Sequence, residues 1–304
     1  MNRCFFVISN AKAGRSRAGA PARLHDYFEA RGLPASFSTV DGCDWNAVVD
    51  AVARYDDVRF VVAAGDGTLR LVLESLWTRN LLEKCTVAFV PLGSANVAAL
   101  SLGLPRSFES ALELAVSGTA RRVDLGLLNN RHVFFIAAIF GAISSVTVGA
   151  RREWKERFGA LAYLLSADRL LKHNYRDDGF TFSVEEGGRS RRIHSHSMVV
   201  CNHLNIGGLR PLRRILFDDK RLDMITLHNT RAWGLARAAY DFFRGRRDSR
   251  VLRHRRITNA VCRLDGFKGH VHLDGDEMQL GSGPLDLRVI PHAARFVTWT
   301  SPAH

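Results

Sequence analysis

The sequence predicts an α/β amino-terminal half built on a parallel sheet, followed by an antiparallel, β-rich half. Two observations predict this. Through the first 125 residues, short apolar runs alternate with amphipathic stretches of helical period, whereas after about Asp124 short β-like runs follow one another. A third observation is size, because 304 residues exceed what a single core usually holds, so we read two domains, 1–125 and 126–294.

The elements follow in order. Phe5 to Ser9 reads as a first strand, and a polar, Gly-containing loop leads to an amphipathic helix around Pro21 to Arg31. A strand at Ala35 to Thr39, a helix at Asp44 to Arg54 and the apolar strand Val58 to Ala63 come next. A helix from Leu69 to about Trp77, the strand Thr86 to Val90 and a helix-like Val97 to Leu102 complete the βαβ rhythm. Such alternation places ligands beyond the carboxyl ends of the strands. The second half offers strands at Val133 to Ile139, Phe180 to Val184, His196 to Cys201, Met224 to Leu227, Val261 to Leu264 and Val271 to Leu273. Helical spacing appears at Leu161 to Leu171 and Trp233 to Phe243.

Composition excludes several classes. With 46% hydrophobic and 24% charged residues the chain is an ordinary globular protein, neither disordered nor fibrous. Its net charge of +13 attracts polyanions, and the arginines concentrate late, at Arg210, Arg213, Arg214 and from Arg244 to Arg256. A solvated face and a membrane-docking surface both fit that run. No recognition-helix or stacking-aromatic pattern supports nucleic acid as a partner. The five cysteines, Cys4, Cys43, Cys85, Cys201 and Cys262, are odd in number and never form a CxxC pair, which suits a reducing cytoplasm. Residues 133–150 carry no charge and reach the lower length of a membrane span, but Gly141, Ser144, Ser145, Thr147 and Gly149 interrupt them, so we read a buried strand and a turn. No Walker loop, GxGxxG fingerprint or GxSxG elbow is present. His194 with His196, and His270 with His272, have the two-residue spacing of strand neighbours, and no further ligand cluster accompanies them.

Two loops carry the chemistry. Gly65-Asp66-Gly67-Thr68 follows a buried strand; its glycines admit close backbone approach to phosphate oxygens, Asp66 offers a carboxylate to magnesium, and Thr68 offers a hydroxyl. An ordinary Asp-Gly turn fits the same residues. Pro91-Leu92-Gly93-Ser94-Ala95-Asn96 repeats the pattern before a helix, whose N-terminal amides favour phosphate. Ser9 to Arg15, with Asn10 and Gly14, is a third small-residue, basic loop.

In this order, Asn10 with Gly14, the Gly65 to Thr68 loop and the Pro91 to Asn96 loop resemble the diacylglycerol kinase catalytic family, which includes bacterial lipid kinases and the sphingosine and ceramide kinases. Gly159 to Leu165, Cys201-Asn202 with Gly207-Gly208, Asp218 to Asp223 and Leu273-Asp274-Gly275-Asp276-Glu277 extend the resemblance almost to the C-terminus. It implies an NAD kinase/phosphofructokinase-like nucleotide domain, a C-terminal β-sandwich, a lipid site in the cleft between them, and a return of the last segment, residues 295–304, to the first domain. It also implies ATP and Mg2+ as cofactors and a lipid as substrate.

Carried onto this chain, Asp66 would organise Mg-ATP, Gly65, Gly67 and Thr68 would hold phosphates, and Asn10, Gly14, Gly93, Ser94 and Asn96 would line the nucleotide site. Asp274, with Asp276 beside it, would activate the lipid hydroxyl, and Asp219 would belong to a structural metal site. This chain departs from the family pattern at Ala64, Val97, Lys220 and Asp276, where the family more often has Gly, Asp, Gly and Glu. The expected activity is that of an ATP-dependent lipid kinase, peripheral to an anionic membrane in the cytoplasm, with Phe134-Phe135-Ile136 and Ile139-Phe140 as candidate walls for an acyl chain. The oligomeric state is open, a homodimer included. A kinase of a soluble substrate, NAD kinase-like, and a non-catalytic lipid- or nucleotide-binding relative are the competing readings.

Overall fold

The computed structural model describes residues 2–10, 19–141, 180–186, 189–202, 218–228, 237, 240–241, 244, 249–265, 271–279 and 284–298. The chain divides into two compact units, residues 1–123 with 292–304, and residues 124–291.

The first unit is the parallel α/β layer that the rhythm predicts. Strands β1 (Arg3–Ser9), β2 (Ala35–Ser38), β3 (Asp57–Ala64) and β4 (Cys85–Pro91) lie in the order β2-β1-β3-β4, all parallel. Every residue of β3 and β4 is buried, as a parallel sheet covered on both faces requires. Helices α1 (Ala20–Glu29), α2 (Trp45–Arg54), α3 (Asp66–Thr78), α4 (Val97–Leu102) and α5 (Phe108–Ser117) connect the strands. The α2 helix starts where Asp44 accepts the amides of Asn46 and Ala47, and α5 where Ser107 accepts that of Ser110. Helix α5 has no counterpart among the segments read from sequence.

One buried polar network sits at the amino end of β3. Asp57, 2% exposed, accepts from Arg3 Nε and Arg59 Nη2 at 2.8 Å each and from the Thr86 hydroxyl at 2.7 Å. Arg59, also 2% exposed, uses Nη1 on the carbonyls of Ala115, Val116 and Gly118, which ties the C-terminal end of α5 to β3. Burial pushes the guanidinium down from its ordinary value, but that value lies so far above neutrality that Arg59 stays charged.

In the second unit strands β5 (Ala120–Leu128), β6 (His132–Phe134), β7 (Ala137–Gly141), β8 (Phe180–Glu186), β9 (Arg189–Ser195), β10 (Ser197–Cys201), β11 (Leu222–Leu227), β12 (Leu252–Ile257), β13 (Asn259–Asp265), β14 (Val271–Leu273), β15 (Asp276–Met278) and β16 (Pro284–Val297) follow in chain order, with β5 and β16 carrying the chain across the unit boundary. Of these, β7, β10, β11, β12, β14 and β15 pair antiparallel, as do β8, β9 and β13. One sheet runs β12-β11-β10-β7-β14-β15; β13 pairs with β8 and with the first half of β16, and β8 pairs with β9. Both sheets bury side chains in one core, which includes Phe140, Phe182, Met198, Met224, Leu273 and Leu287. The last residues of β16 pair with β4 in parallel, Arg295 opposite Thr86.

Three readings change. The run expected as one strand from Val133 to Ile139 is two strands, broken at Phe135 and Ile136, and its continuation past Gly141 lies outside the described residues. Phe134, Phe135 and Phe140 are almost fully buried, and Phe134 and Phe140 belong to the core, so they pack the interior rather than wall an acyl channel. The late arginines are not one surface run: Arg253, Arg255 and Arg256 lie on β12. The helix expected at Leu161 to Leu171, and most of that at Trp233 to Phe243, fall outside the described residues. Among the described residues no helix is long and apolar enough to cross a membrane.

Candidate functional site

The carboxyl ends of β3 and β4 bring the two glycine loops side by side. Register pairs Ala64 with Pro91, and the Leu92 amide donates to the Ala64 carbonyl at 2.8 Å, so Gly65 and Gly93 face each other. A Cβ on Gly93 would come within 2.6 Å of the Gly65 Cα and 2.9 Å of the Asn96 Oδ1. The glycines therefore serve close approach, as the sequence suggests, and neither has a positive φ. Gly93→Ala is expected to lower unfolding stability by about 1–3 kcal/mol, measured by urea denaturation, because the new methyl group pushes the loops apart.

The Gly65 to Thr68 segment is less a loop than a helix start. Gly65 is the N-cap, and Asp66, Gly67 and Thr68 form the first turn of α3, three residues earlier than the periodicity suggests. The first bond of the helix runs from the Leu69 amide to the Gly65 carbonyl, so the amides of Gly67 and Thr68 have no acceptor within the helix. The free amides and the helix dipole suit an anion at this end.

Asp66 is fixed by the neighbouring loop. Its Oδ2 accepts the amide of Val97 and its Oδ1 that of Ala98, both at 3.0 Å, so it caps α4 from outside. Val97, the departure from the family pattern, contributes its backbone amide here. Asn96 holds a left-handed φ of 48° and turns its side chain onto Gly93, accepting the Gly93 amide at 2.9 Å and donating to the Gly93 carbonyl at 2.6 Å. Asn96 thus shapes the loop, while Ser94 is exposed. Asn10 is exposed at the end of β1; Gly14 lies outside the described residues.

The second unit places the other carboxylates. Asp274 and Gly275 both have positive φ, 51° and 95°, and form the two-residue turn between β14 and β15, the Asp-Gly hairpin geometry. The Asp274 carboxylate accepts three backbone amides, Phe135 at 2.7 Å, Ile136 at 2.8 Å and Ala137 at 2.9 Å, and its own amide donates to the Ala137 carbonyl. This is the physical cause of the break between β6 and β7: the two residues that leave the strand turn their amides to a side chain. Asp276 is half-buried on β15 and Glu277 exposed.

The segment from Asp218 to Asp223 is braced in the same manner. Lys220 occupies a left-handed conformation, φ 60°, where the family pattern has glycine, and its amide donates to the Asp124 carboxylate at 2.6 Å. Asn202, fully buried, donates to the carbonyls of Asp124 and Phe135, which accounts for an Asn after Cys201. Burial, with the charge of Asp223 nearby, pushes the Asp219 carboxyl above its usual value. Among the described residues Asp219 is not part of a cluster of three ligand groups; that geometry occurs only at the exposed His25, Asp26 and Glu29. Gly159 to Leu165 and Gly207-Gly208 lie outside the described residues.

The family model for the diacylglycerol kinase catalytic domain matches residues 4–128. A protein of Enterobacter sp. (strain 638) named "Probable lipid kinase YegS-like" is 33% identical over 105 residues, 34% of this chain and 35% of that protein. The diacylglycerol kinase of Bacillus subtilis (strain 168) is 30% identical over 169 residues, 54% of each chain. The chain thus spans from about a third to about half the length of these curated relatives. Among solved structures, a diacylglycerol kinase from Bacillus anthracis str. Sterne superposes with a TM-score of 0.68 at 17% identity, covering 98% of this chain and 97% of that one. An NAD kinase from Archaeoglobus fulgidus in complex with ATP superposes with a TM-score of 0.53 at 12% identity, covering 97% and 93%. The fold is therefore that of the diacylglycerol kinases and NAD kinases. Residues 4–128 thus match the diacylglycerol kinase catalytic domain model, and over part of its length the chain is similar to proteins named as lipid kinase and diacylglycerol kinase.

Proposed function

We propose that the chain is an ATP-dependent kinase that phosphorylates the hydroxyl of a membrane lipid, a diacylglycerol or a ceramide or sphingoid base. The observation that carries this reading is the contact of Gly65 with Gly93, which sets the first turn of α3 beside the loop that opens α4 at the carboxyl end of the sheet. The amides of Gly67 and Thr68 and the Ser94 hydroxyl are suited to phosphate oxygens there, with Gly65 and Gly93 leaving room for them. We give Asp66 the magnesium role: its oxygens accept the amides of Val97 and Ala98, which fix the carboxylate beside the first turn of α3, and Mg2+ is commonly held by one or two carboxylates together with phosphate oxygens and water. ATP supplies the γ-phosphoryl group. The lipid oxygen forms the new P–O bond, the bond to the β-phosphate oxygen breaks, and ADP leaves. The hydroxyl proton needs a carboxylate, and we assign it to Asp276, half-buried on β15 next to the Asp274-Gly275 turn.

The substrate class follows from the names of the relatives and draws on the chain's charge of +13 for a peripheral approach to anionic lipid. The buried free thiols of Cys4, Cys43, Cys85 and Cys201 suit the reducing cytoplasm. Purified protein with labelled ATP, magnesium and a panel of diacylglycerol, ceramide, sphingosine, phosphatidylglycerol and NAD tests the assignment. Label is expected in a lipid, with a loss of roughly 100-fold or more in Asp276→Ala. Label in NAD overturns the lipid reading, and ATP binding without transfer to any acceptor points to a binding protein.

A further inference from the structure

Strands β9 and β12 are the outer strands of their two sheets. Each carries the core on one face and then abandons it. On β12, register pairs Arg255 with Met224 and Arg253 with Thr226, so both arginines lie on the face where Ile257 enters the core. On β9, Arg191 sits opposite Val184 and Ile193 opposite Phe182, again the face of the core. The apolar layer between the sheets therefore ends in arginines from both sides. Between them lies a cavity of about 480 Å³ lined by Arg191, Arg192, His194, His228, Arg253 and Arg255, with Ile193 at its apolar side. No carboxylate lines it, and Arg191, Arg253 and Arg255 form no ion pair among the described residues. The contrast lies on the other face of β12, where His254 and Arg256 reach the buried Asp223.

We propose that this cavity is a membrane-docking pocket that seats the phosphate of an anionic phospholipid headgroup. Guanidinium forks match phosphate oxygens two at a time, and several of them around one opening repel each other until an anion enters. The field is felt within the cavity: His228, whose Nδ1 lies 2.8 Å from the His194 carbonyl, is held below its ordinary pKa by burial and by Arg253, His194 and His196. A lining of arginines and histidines with one aliphatic residue, Ile193, suits a phosphate headgroup, and the volume falls in the range of small-ligand sites. A nucleic acid fits less well, since among the described residues no Phe, Tyr or Trp lines the cavity for base stacking. The plainer alternative is that inward-pointing charges guard two sheet edges against pairing with another chain.

The proposal extends the membrane-surface part of the function above, and its test needs no turnover, so failure of the kinase assay leaves it standing and the converse holds too. The full chain is sedimented with phosphatidylcholine vesicles and with phosphatidylcholine vesicles containing phosphatidylglycerol. Binding is expected only to the latter, undiminished by inorganic phosphate at the same phosphate concentration. The combined Arg191→Gln, Arg253→Gln and Arg255→Gln variant is expected to lose on the order of a hundredfold in partitioning, with an unchanged melting midpoint, while the three Lys substitutions keep most of it. Equal binding to neutral vesicles, full binding by the Gln variant, or tighter arginine-dependent binding to RNA than to vesicles overturns the proposal. Self-association of the Gln variant with vesicle binding intact also overturns it and identifies the arginines as edge guards.

Discussion

Asp57→Ala is expected to lower the unfolding free energy by about 3–5 kcal/mol, the largest single loss in the first unit. The carboxylate is 2% exposed and is the shared acceptor of Arg3, Arg59 and Thr86. Its removal leaves the Arg59 guanidinium equally buried and without the carboxylate that faces it, and an uncompensated buried charge costs far more than the pair contributes. Arg59 also holds three carbonyls around the end of α5, so the loss spreads to that helix. Urea denaturation reads the change, and a loss under about 1 kcal/mol would mean that the network behaves like a surface ion pair. The two glycine loops lie at the other end of β3, eight residues away or about 26 Å, so the contact of Gly65 with Gly93 is expected to stay as it was well below the melting midpoint.

The same network sets an acid limit. Burial alone would raise the Asp57 pKa, but the Thr86 hydroxyl and the charges of Arg59 and Arg3 outweigh it, and the carboxyl titrates below its usual value. A group depressed on folding contributes stability in full above its unfolded pKa of about 3.9 and loses it as pH falls through the folded value. Wild-type stability is therefore expected to drop as pH falls below about 4, and Asp57→Asn to show a shallower decline from a lower starting value.

The parallel sheet was legible because nothing long-range decides it: β3 and β4 are continuous apolar runs, and α2 has its Asp44 cap in sequence. Ser107 is an equally local signal for α5, and it is the element that close reading could have found. The early start of α3 was hidden by Gly67, a poor helix residue that the first turn tolerates. Strands β9 and β12 were hidden for a different reason, since arginine on the inward face removes the alternation by which strands are recognised. At the candidate site the sequence marked Asp66, Asn96 and Asp274 by type and order. Asn96 turns onto Gly93 within its own loop, but the backbone partners of Asp66 and Asp274 lie 31 to 139 residues away, which no local pattern encodes.

Asp274→Asn is expected to destabilise the second unit by about 3 kcal/mol, whatever it does to activity. The carboxylate is an acceptor at every position, and the amides of Phe135, Ile136 and Ala137 all point at it. An asparagine keeps one carbonyl oxygen and turns an NH2 group toward at least one of those amides, leaving donor against donor, at about 1–3 kcal/mol for each buried group left unmet. Because Asp274 closes the hairpin with a left-handed φ, which Asn also tolerates, the turn itself survives and the loss reports the three amides. A purely catalytic Asp274 predicts the reverse, an inactive variant with an unchanged melting midpoint. Thermal unfolding of Asp274→Asn beside Asp276→Asn separates the two: we expect the midpoint to fall by roughly 6–12 °C in the first and by little in the second. On that outcome the break between β6 and β7 belongs to the architecture of the hairpin.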